Sequence, residues 1–505
     1  MLRLIVACLA VLAPGLAWSD SSFSFLNEPG PYPVGLHVVQ QYDQSRSYRG
    51  AFDAVAGQPA TGERARPVQT LVWYPAKPGG PALRYGDYSS LAATEDSFDA
   101  SPKYADSMGR HAKALEAVAS QPMRAVRDAA HVGNRYPLVI YAPSYGAVAA
   151  ENADLCEYLA SQGYVVIASA SMGARSRPMT GDLEGIEAQV GDIEFLIGYA
   201  RTLPQVDFDK IAVVGFSWGG LANVATAAKD SRIRALVSLD GTIRYDNEMV
   251  KAIAYLTPAK IEVPYLYVAS RPATLEQLNI DRKYYDIARN FLNELKYSDV
   301  YIASVSAMAH EDFSSFFLRV LPDDSFREGY TRQEAAVAHS WVARYVERFL
   351  TAYLKHSGEA LAFLTSDPQR NGVPRHFMRM SARKAEATAP TLERVAAELA
   401  RQGFDHATEV IRDLRLEDSD AKPSEDVLND WAHRVLYTGN ASRAVQAFQF
   451  ALLLYTASAD LHDGLGEAWH ATGDKVRAEA NFRRALVLDP RHRGATRHLR
   501  ALTGP

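Results

Sequence analysis

The sequence predicts a doubly wound, mostly parallel α/β domain followed by an all-α domain. Three observations predict it: apolar runs alternating with helical stretches, a strand-to-helix turn carrying Gly-x-Ser-x-Gly, and a thirty-four-residue repeat in a strand-free tail. A chain of 505 residues is too long for one core. Its 48% hydrophobic and 22% charged content is that of a globular protein. The net charge of -5 supplies no basic face of the kind that nucleic-acid phosphates need.

The first segment, residues 1–19, reads as a signal peptide. Arg3 precedes an apolar run from Leu4 to Leu12, then Pro14-Gly15, and Ala17 and Ser19 supply small residues at a cleavage site. The run is too short to span a bilayer. No later stretch is apolar enough for a span, so the expectation is an exported protein, periplasmic or secreted, without a transmembrane anchor. Cys8 and Cys156 are the only cysteines, and removing the leader leaves one thiol and no internal disulfide.

Residues 20–378 form the predicted α/β domain. Strand candidates are Gln69–Tyr74, Pro137–Tyr141, Tyr164–Ala168, Lys210–Val214, Ala235–Leu239, Tyr265–Ala269 and Val300–Ser304. Several are unbroken apolar runs, as strands buried on both faces require. Helical patterns fall between them, at Asn152–Gln162 and Gly185–Thr202, and this rhythm argues for parallel pairing. Residues 89–130 read as a helical excursion that could cover a site. Ala335–Leu350 is one amphipathic helix, expected to be the last on the sheet. After Pro374 no convincing strand appears, and residues 379–505 read as helices alone. In that tail Gly439, Ala444, Phe448 and Ala451 recur as Gly473, Ala478, Phe482 and Ala485. The period and the small-residue pattern resemble tetratricopeptide repeats, with Pro490 closing the second copy.

The chemistry centres on Gly215-Phe-Ser217-Trp-Gly219, with an apolar strand before it and a helical run after it. A tight turn there lifts the serine hydroxyl above the sheet edge, and glycine is needed where side chains would collide. A serine hydroxyl is a poor nucleophile until a base takes its proton. The expected chain order is serine, acid, histidine. Asp240 ends the strand after the nucleophile helix, and no acid follows the next strand before Glu276. Its alternative is an ordinary Asp-Gly turn. Among His310, His339, His356 and His376, only His310 lies in a loop just past the last strand, placed to reach Ser217. The oxyanion donors are expected to be the backbone N–H groups of Trp218 and Tyr145.

These residues resemble the platelet-activating-factor acetylhydrolase family, close to the dienelactone-hydrolase-like branch of the α/β-hydrolases. The landmarks are Gly30-Pro-Tyr-Pro-Val-Gly35, Val72-Trp-Tyr-Pro-Ala76, Gly215–Gly220, Leu239-Asp-Gly241 and His310–Phe316, in that order. The resemblance runs from about Pro29 to Leu350. It implies an α/β-hydrolase fold and hydrolysis of short or oxidised acyl esters, with no cofactor and no metal. Two departures stand out. The oxyanion loop is Pro143-Ser-Tyr-Gly146 instead of a His-Gly loop, and a tetratricopeptide-like tail is not a standard part of the family. Dienelactone hydrolases proper use a cysteine where Ser217 stands here. The expected partner is a small-molecule or lipid ester, with a protein partner for the helical repeats. A peptidase or amidase on the same scaffold, or an inert binding protein, are the competing functions.

Overall fold

The computed structural model describes residues 23–53, 57–59, 61–98, 111–270, 291–326, 329–419 and 421–504. The predicted signal peptide lies outside them. The chain divides into two compact units, residues 1–385 and 386–505.

The first unit is built on one sheet of eleven strands. They are β1 (Val34–Ser47), β2 (Ala65–Pro75), β3 (Ala82–Arg84), β4 (Pro122–Arg127), β5 (Tyr136–Ala142) and β6 (Val165–Ser169). Then come β7 (Val206–Phe216), β8 (Ile233–Leu239), β9 (Tyr265–Ala269), β10 (Val300–Val305) and β11 (Met378–Arg383). Their spatial order is β11-β10-β9-β8-β7-β5-β6-β2-β1-β4-β3. From β6 through β5, β7, β8 and β9 to β10 every pairing is parallel. Both faces of these central strands are apolar. On β5, Leu138 and Ile140 join one core while Val139 and Tyr141 join the other. That is why the strands read as continuous hydrophobic runs.

Helices cover both faces. α1 (Ala153–Ser161) and α4 (Arg332–Leu354) bury Leu155, Leu159, Val342 and Val346 in one core. α2 (Leu183–Ala200) and α3 (Gly219–Ala227) bury Ile186, Val190, Leu221 and Val224 in the other. α4 starts at a capping box, in which Thr331 and Glu334 satisfy each other's backbone N–H groups. A buried ion pair ties α2 to the sheet. Arg66 on β2 donates to both carboxylate oxygens of Asp192, each at 2.6 Å, and to the carbonyls of Met172 and Gly173. Arg46 at the end of β1 adds a third bond to Asp192, at 2.7 Å.

Two expectations are corrected. Residues 89–130 are not wholly a helical excursion, because Pro122–Arg127 is a sheet strand that pairs with β1 and β3. The described helical parts do not stand off from the body: Val118 is buried in the core, and Leu91, Ala114 and Leu115 pack against it. Residues 99–110 of that stretch lie outside the described residues. Likewise Met378–Arg383, read as part of the helical tail, is the edge strand β11, antiparallel to β10. It belongs to the first unit, so the division falls after Ala385 and not after residue 378. An edge strand with only Met378 buried carries almost no hydrophobic pattern to read.

The second unit is a run of seven helices among the described residues. They are α5 (Leu392–Gln402), α6 (Ala407–Glu417), α7 (Glu425–Tyr437), α8 (Ala441–Leu454), α9 (Ala459–Ala471), α10 (Lys475–Leu488) and α11 (Arg493–Thr503). The repeat read from sequence falls on equivalent positions of two helix pairs. Gly439 and Gly473 follow the ends of α7 and α9 at φ 86° and 89°, a conformation that glycine adopts freely. Phe448 and Phe482 are buried, and each ring lies against a glycine of α9, Gly464 and Gly466 respectively. A Cβ on either glycine would come within 2.4 Å of the ring, so these glycines set how closely the helices approach. Among the described residues no helix is long and apolar enough to cross a membrane.

Candidate active site

β7 delivers Ser217. Its last residues pair with β8, Gly215 with Ser238 and Phe216 with Leu239. The chain then reverses into α3 with Ser217 at φ 53°, an uncommon conformation for a non-glycine residue. Three bonds hold that turn: Ser217 N–H to Leu239, and Gly220 N–H and Thr242 N–H to the Ser217 carbonyl. The glycines are required by close approach. A Cβ on Gly215 would sit 2.1 Å from the Gly219 carbonyl oxygen, and one on Gly219 equally close to that of Ala142. Gly215→Ala is therefore expected to lower stability by about 1–3 kcal/mol through overpacking. Turnover should fall by about 100-fold or more, because small displacements of reacting groups are costly. Urea denaturation and initial rates on the same preparation check both.

β8 delivers Asp240, also at positive φ (42°), just past the strand end. Asp240 is buried. One carboxylate oxygen accepts the N–H of Ser270 at 3.0 Å and the hydroxyl of Tyr245. The other lies 2.7 Å from His310 Nδ1. His310 Nε2 lies 2.9 Å from Ser217 Oγ. The three residues named from sequence are thus joined in one hydrogen-bonded line. An ionised carboxylate only accepts, so the His310 proton sits on Nδ1 and Nε2 is left to accept from the serine hydroxyl.

The electrostatics support that assignment. Burial works against the charge on Asp240, but the bond and charge of His310, with Ser270 and Tyr245, hold its pKa below 3.8. Burial also opposes a charged His310, yet the bond and charge of Asp240, then Glu311 and Glu151, raise its pKa above 6.5. The imidazole packs on Phe216, with ring centroids 5.1 Å apart.

The loop after β5 lies beside this line. Tyr145 and Trp218 meet edge to face at 5.7 Å. Among the described residues neither of their backbone N–H groups has a hydrogen-bond acceptor. The Tyr145 ring is half-exposed, and its hydroxyl donates to the Met179 carbonyl at 2.5 Å. The other histidines are elsewhere. His339 is buried on α4 with Nδ1 donating to the Asp312 carbonyl, and burial pushes its pKa down to about 4. His356 and His376 lie outside the cluster, at positive φ.

Several residues at the site carried no sequence signal. Tyr245 follows Asp240 by one short turn and bonds its carboxylate. Arg177 and Glu95 form a buried ion pair at 2.9 Å. Arg177 also binds the Gly146 carbonyl and Glu95 the Ala149 N–H, so the pair brackets the loop after Tyr145. Their partners lie far apart in sequence, which no local pattern reports.

In the helical unit Asp463, Glu467 and His498 bring ligand-type atoms within 4.8 Å of one another. His498 Nδ1 lies 2.9 Å from Asp463, and Arg497 donates to His498 Nε2 at 3.1 Å. Arginine can only donate, so the ring proton sits on Nδ1, facing Asp463. That nitrogen offers hydrogen to a carboxylate and no lone pair to a metal. The group links α11 to α9.

Residues 125–264 match the model of the dienelactone hydrolase family. Curated relatives include an uncharacterized protein of Pseudomonas aeruginosa, 28% identical over 30% of this chain and 38% of its own length. A Synechocystis protein provisionally named carboxymethylenebutenolidase is 28% identical over 28% of this chain and 59% of its own. The quorum-quenching protein AidA of Acinetobacter baumannii is 38% identical over 12% of this chain and 21% of its own. Each alignment spans well under two thirds of the relative. Among solved structures, a ferulic acid esterase from Streptomyces cinnamoneus aligns at 19% identity and a TM-score of 0.49, covering 71% of this chain and 99% of that one. The first unit, an α/β domain built on a mixed sheet, thus resembles the dienelactone hydrolase family over residues 125–264, and a helical domain follows it.

Proposed function

We propose that this chain is an exported serine hydrolase that cleaves carboxylic esters, short-chain or lipid-type, through Ser217, His310 and Asp240. One observation carries the reading: the 2.9 Å and 2.7 Å hydrogen bonds that join serine, histidine and aspartate at the strand ends. The match to the dienelactone hydrolase model supports the hydrolase class. The leader at residues 1–19 supports export.

In this mechanism His310 Nε2 takes the proton of Ser217 Oγ as the oxygen bonds the ester carbonyl carbon. The carbonyl oxygen becomes negative and is received by the N–H groups of Tyr145 and Trp218. Each such donor contributes on the order of 3 kcal/mol to the transition state. His310 then protonates the departing alcohol, leaving an acyl group on Ser217. Water, deprotonated by His310, attacks that acyl carbon, and the bond to Ser217 Oγ breaks as His310 returns the proton to that oxygen, freeing the acid. Asp240 holds the tautomer and stabilises the imidazolium. The helical domain adds a surface for a protein partner in this reading.

The base must be neutral to act, so activity is lost as pH falls through the His310 pKa. That pKa is raised by Asp240, which places the acid limb of kcat/KM above pH 6.5. In Asp240→Asn the limb should move to lower pH as the rate drops. Both shifts are read from kcat/KM between pH 5 and 9. The substrate class is tested with nitrophenyl esters from acetyl to octanoyl, beside an anilide of the same acyl group. Turnover of the anilide at rates matching the ester would replace the esterase reading with an amidase.

A further inference from the structure

The oxyanion loop is held from below by a residue that none of the hydrolytic chemistry above uses. Glu151 lies in the turn before α1, fully buried. One carboxylate oxygen accepts the Ser144 hydroxyl at 2.5 Å. The other accepts the Ser144 N–H at 2.9 Å and the Tyr141 hydroxyl at 3.2 Å. Every donor that Ser144 owns is therefore spent on one carboxylate. The next amide, that of Tyr145, has no acceptor among the described residues.

The same turn reaches the other side of the site. The Glu151 carbonyl accepts the Phe316 N–H at 3.1 Å, and Asn152 binds the Phe313 carbonyl at 2.7 Å and the Ser315 N–H at 2.8 Å. Asn152 also donates to the Tyr141 hydroxyl at 2.9 Å, closing the network. Residues 313–316 directly follow the His310 turn. Two adjacent residues thus fix the loop of the oxyanion donor and the segment that carries the base.

We infer that Glu151 is a positioning residue, whose carboxylate holds Ser144 so that the Tyr145 N–H faces the developing oxyanion and stays in register with His310. The inference rests on the esterase reading. It explains how Pro143-Ser-Tyr-Gly146 can serve in place of a His-Gly loop: the serine gives the buried carboxylate two donors to grip. The ionised form holds the loop most strongly, since all three of its bonds to Ser144 and Tyr141 are then charge-assisted, whereas a protonated acid must donate to the Ser144 hydroxyl and loses the charge. Burial pushes the Glu151 pKa up to about 7, opposed by the bonds from Ser144 and Tyr141 and by the charge of His310. The titratable groups facing it are Tyr141 on β5, His310, Cys156 on α1 and Tyr85.

The test is kcat and KM for a nitrophenyl ester from pH 5 to 9 in wild type, Glu151→Gln and Ser217→Ala, with fluorophosphonate labelling of each. Glutamine keeps the shape but removes the charge, and its NH2 can only donate to the Ser144 hydroxyl where the carboxylate accepted from it, so the charge-assisted grip on the loop is lost. The expected result is kcat lower by about 100-fold, as for a lost oxyanion donor. KM should stay within about threefold, the mark of an interaction made mainly in the transition state. The acid limb should become shallower and move to lower pH, which a purely structural residue would not cause. Wild-type kcat and pH profile in Glu151→Gln, with turnover lost in Ser217→Ala, would overturn the positioning role and leave the hydrolase standing. Neither turnover nor labelling in wild type would remove both. Should Glu151→Gln give no cooperative melt, Ser144→Ala is read instead. A kcat about tenfold lower at unchanged KM supports the role, and wild-type kcat in that variant overturns it.

Discussion

Ser217→Ala is expected to lower ester turnover by about 10⁴-fold or more while leaving the fold intact. In the proposed mechanism the alanine removes the atom that bonds the acyl carbon, and His310 Nε2 loses its 2.9 Å partner. What survives is substrate binding and the two amide donors, which by themselves give modest catalysis. The backbone of the turn is held by the carbonyl and N–H of residue 217 and not by its side chain. The melting temperature should consequently stay close to wild type. Turnover of nitrophenyl acetate and butyrate, with thermal melts of both proteins, measures the effect. A mutant retaining a tenth of wild-type turnover would show that Ser217 is not the nucleophile.

The largest stability effect is expected from Asp192→Ala. Asp192 is buried and takes bonds from both Arg66 and Arg46, and Arg66 is itself almost wholly shielded from water. Removing the carboxylate strands a buried guanidinium, and such losses run to about 3–5 kcal/mol. The double replacement Arg66→Met with Asp192→Leu should recover part of the loss, because no uncompensated charge then remains between β2 and α2. Urea denaturation midpoints at equal slope compare the variants. A single mutant within about 1 kcal/mol of wild type would mean that water reaches Arg66.

Much of the central sheet was legible because each strand there is buried on both faces. Val139, Ile140, Val166, Val213, Val237 and Leu266 are all shielded, so they read as unbroken apolar runs. The edges were not legible. Pro122–Arg127 buries only Met123 and Ala125, and Met378–Arg383 only Met378, with two arginines in each, so neither shows an unbroken apolar run. Ser217, Asp240 and His310 could be named from sequence because each has a local signature: a glycine-flanked turn, an aspartate at a strand end, a histidine in the loop past a strand. Glu151, Tyr245 and Arg177 have none, since their roles consist of contacts to residues distant along the chain or around a turn.

The amino-acid order alone determined the alternation of strand and helix, the glycine-flanked turn at Ser217 and the doubled helix pair in the tail. These are short-range matters, decided by hydrophobic period and by which residues tolerate tight backbone. Only the tertiary structure decided which buried polar groups meet. Glu151 beneath Ser144, Tyr245 on Asp240 and Asp192 between two arginines exist because the sheet brings their elements together. Inside a low-dielectric core each must find its partner there or lose several kcal/mol, a constraint set by packing in three dimensions that no window of sequence contains.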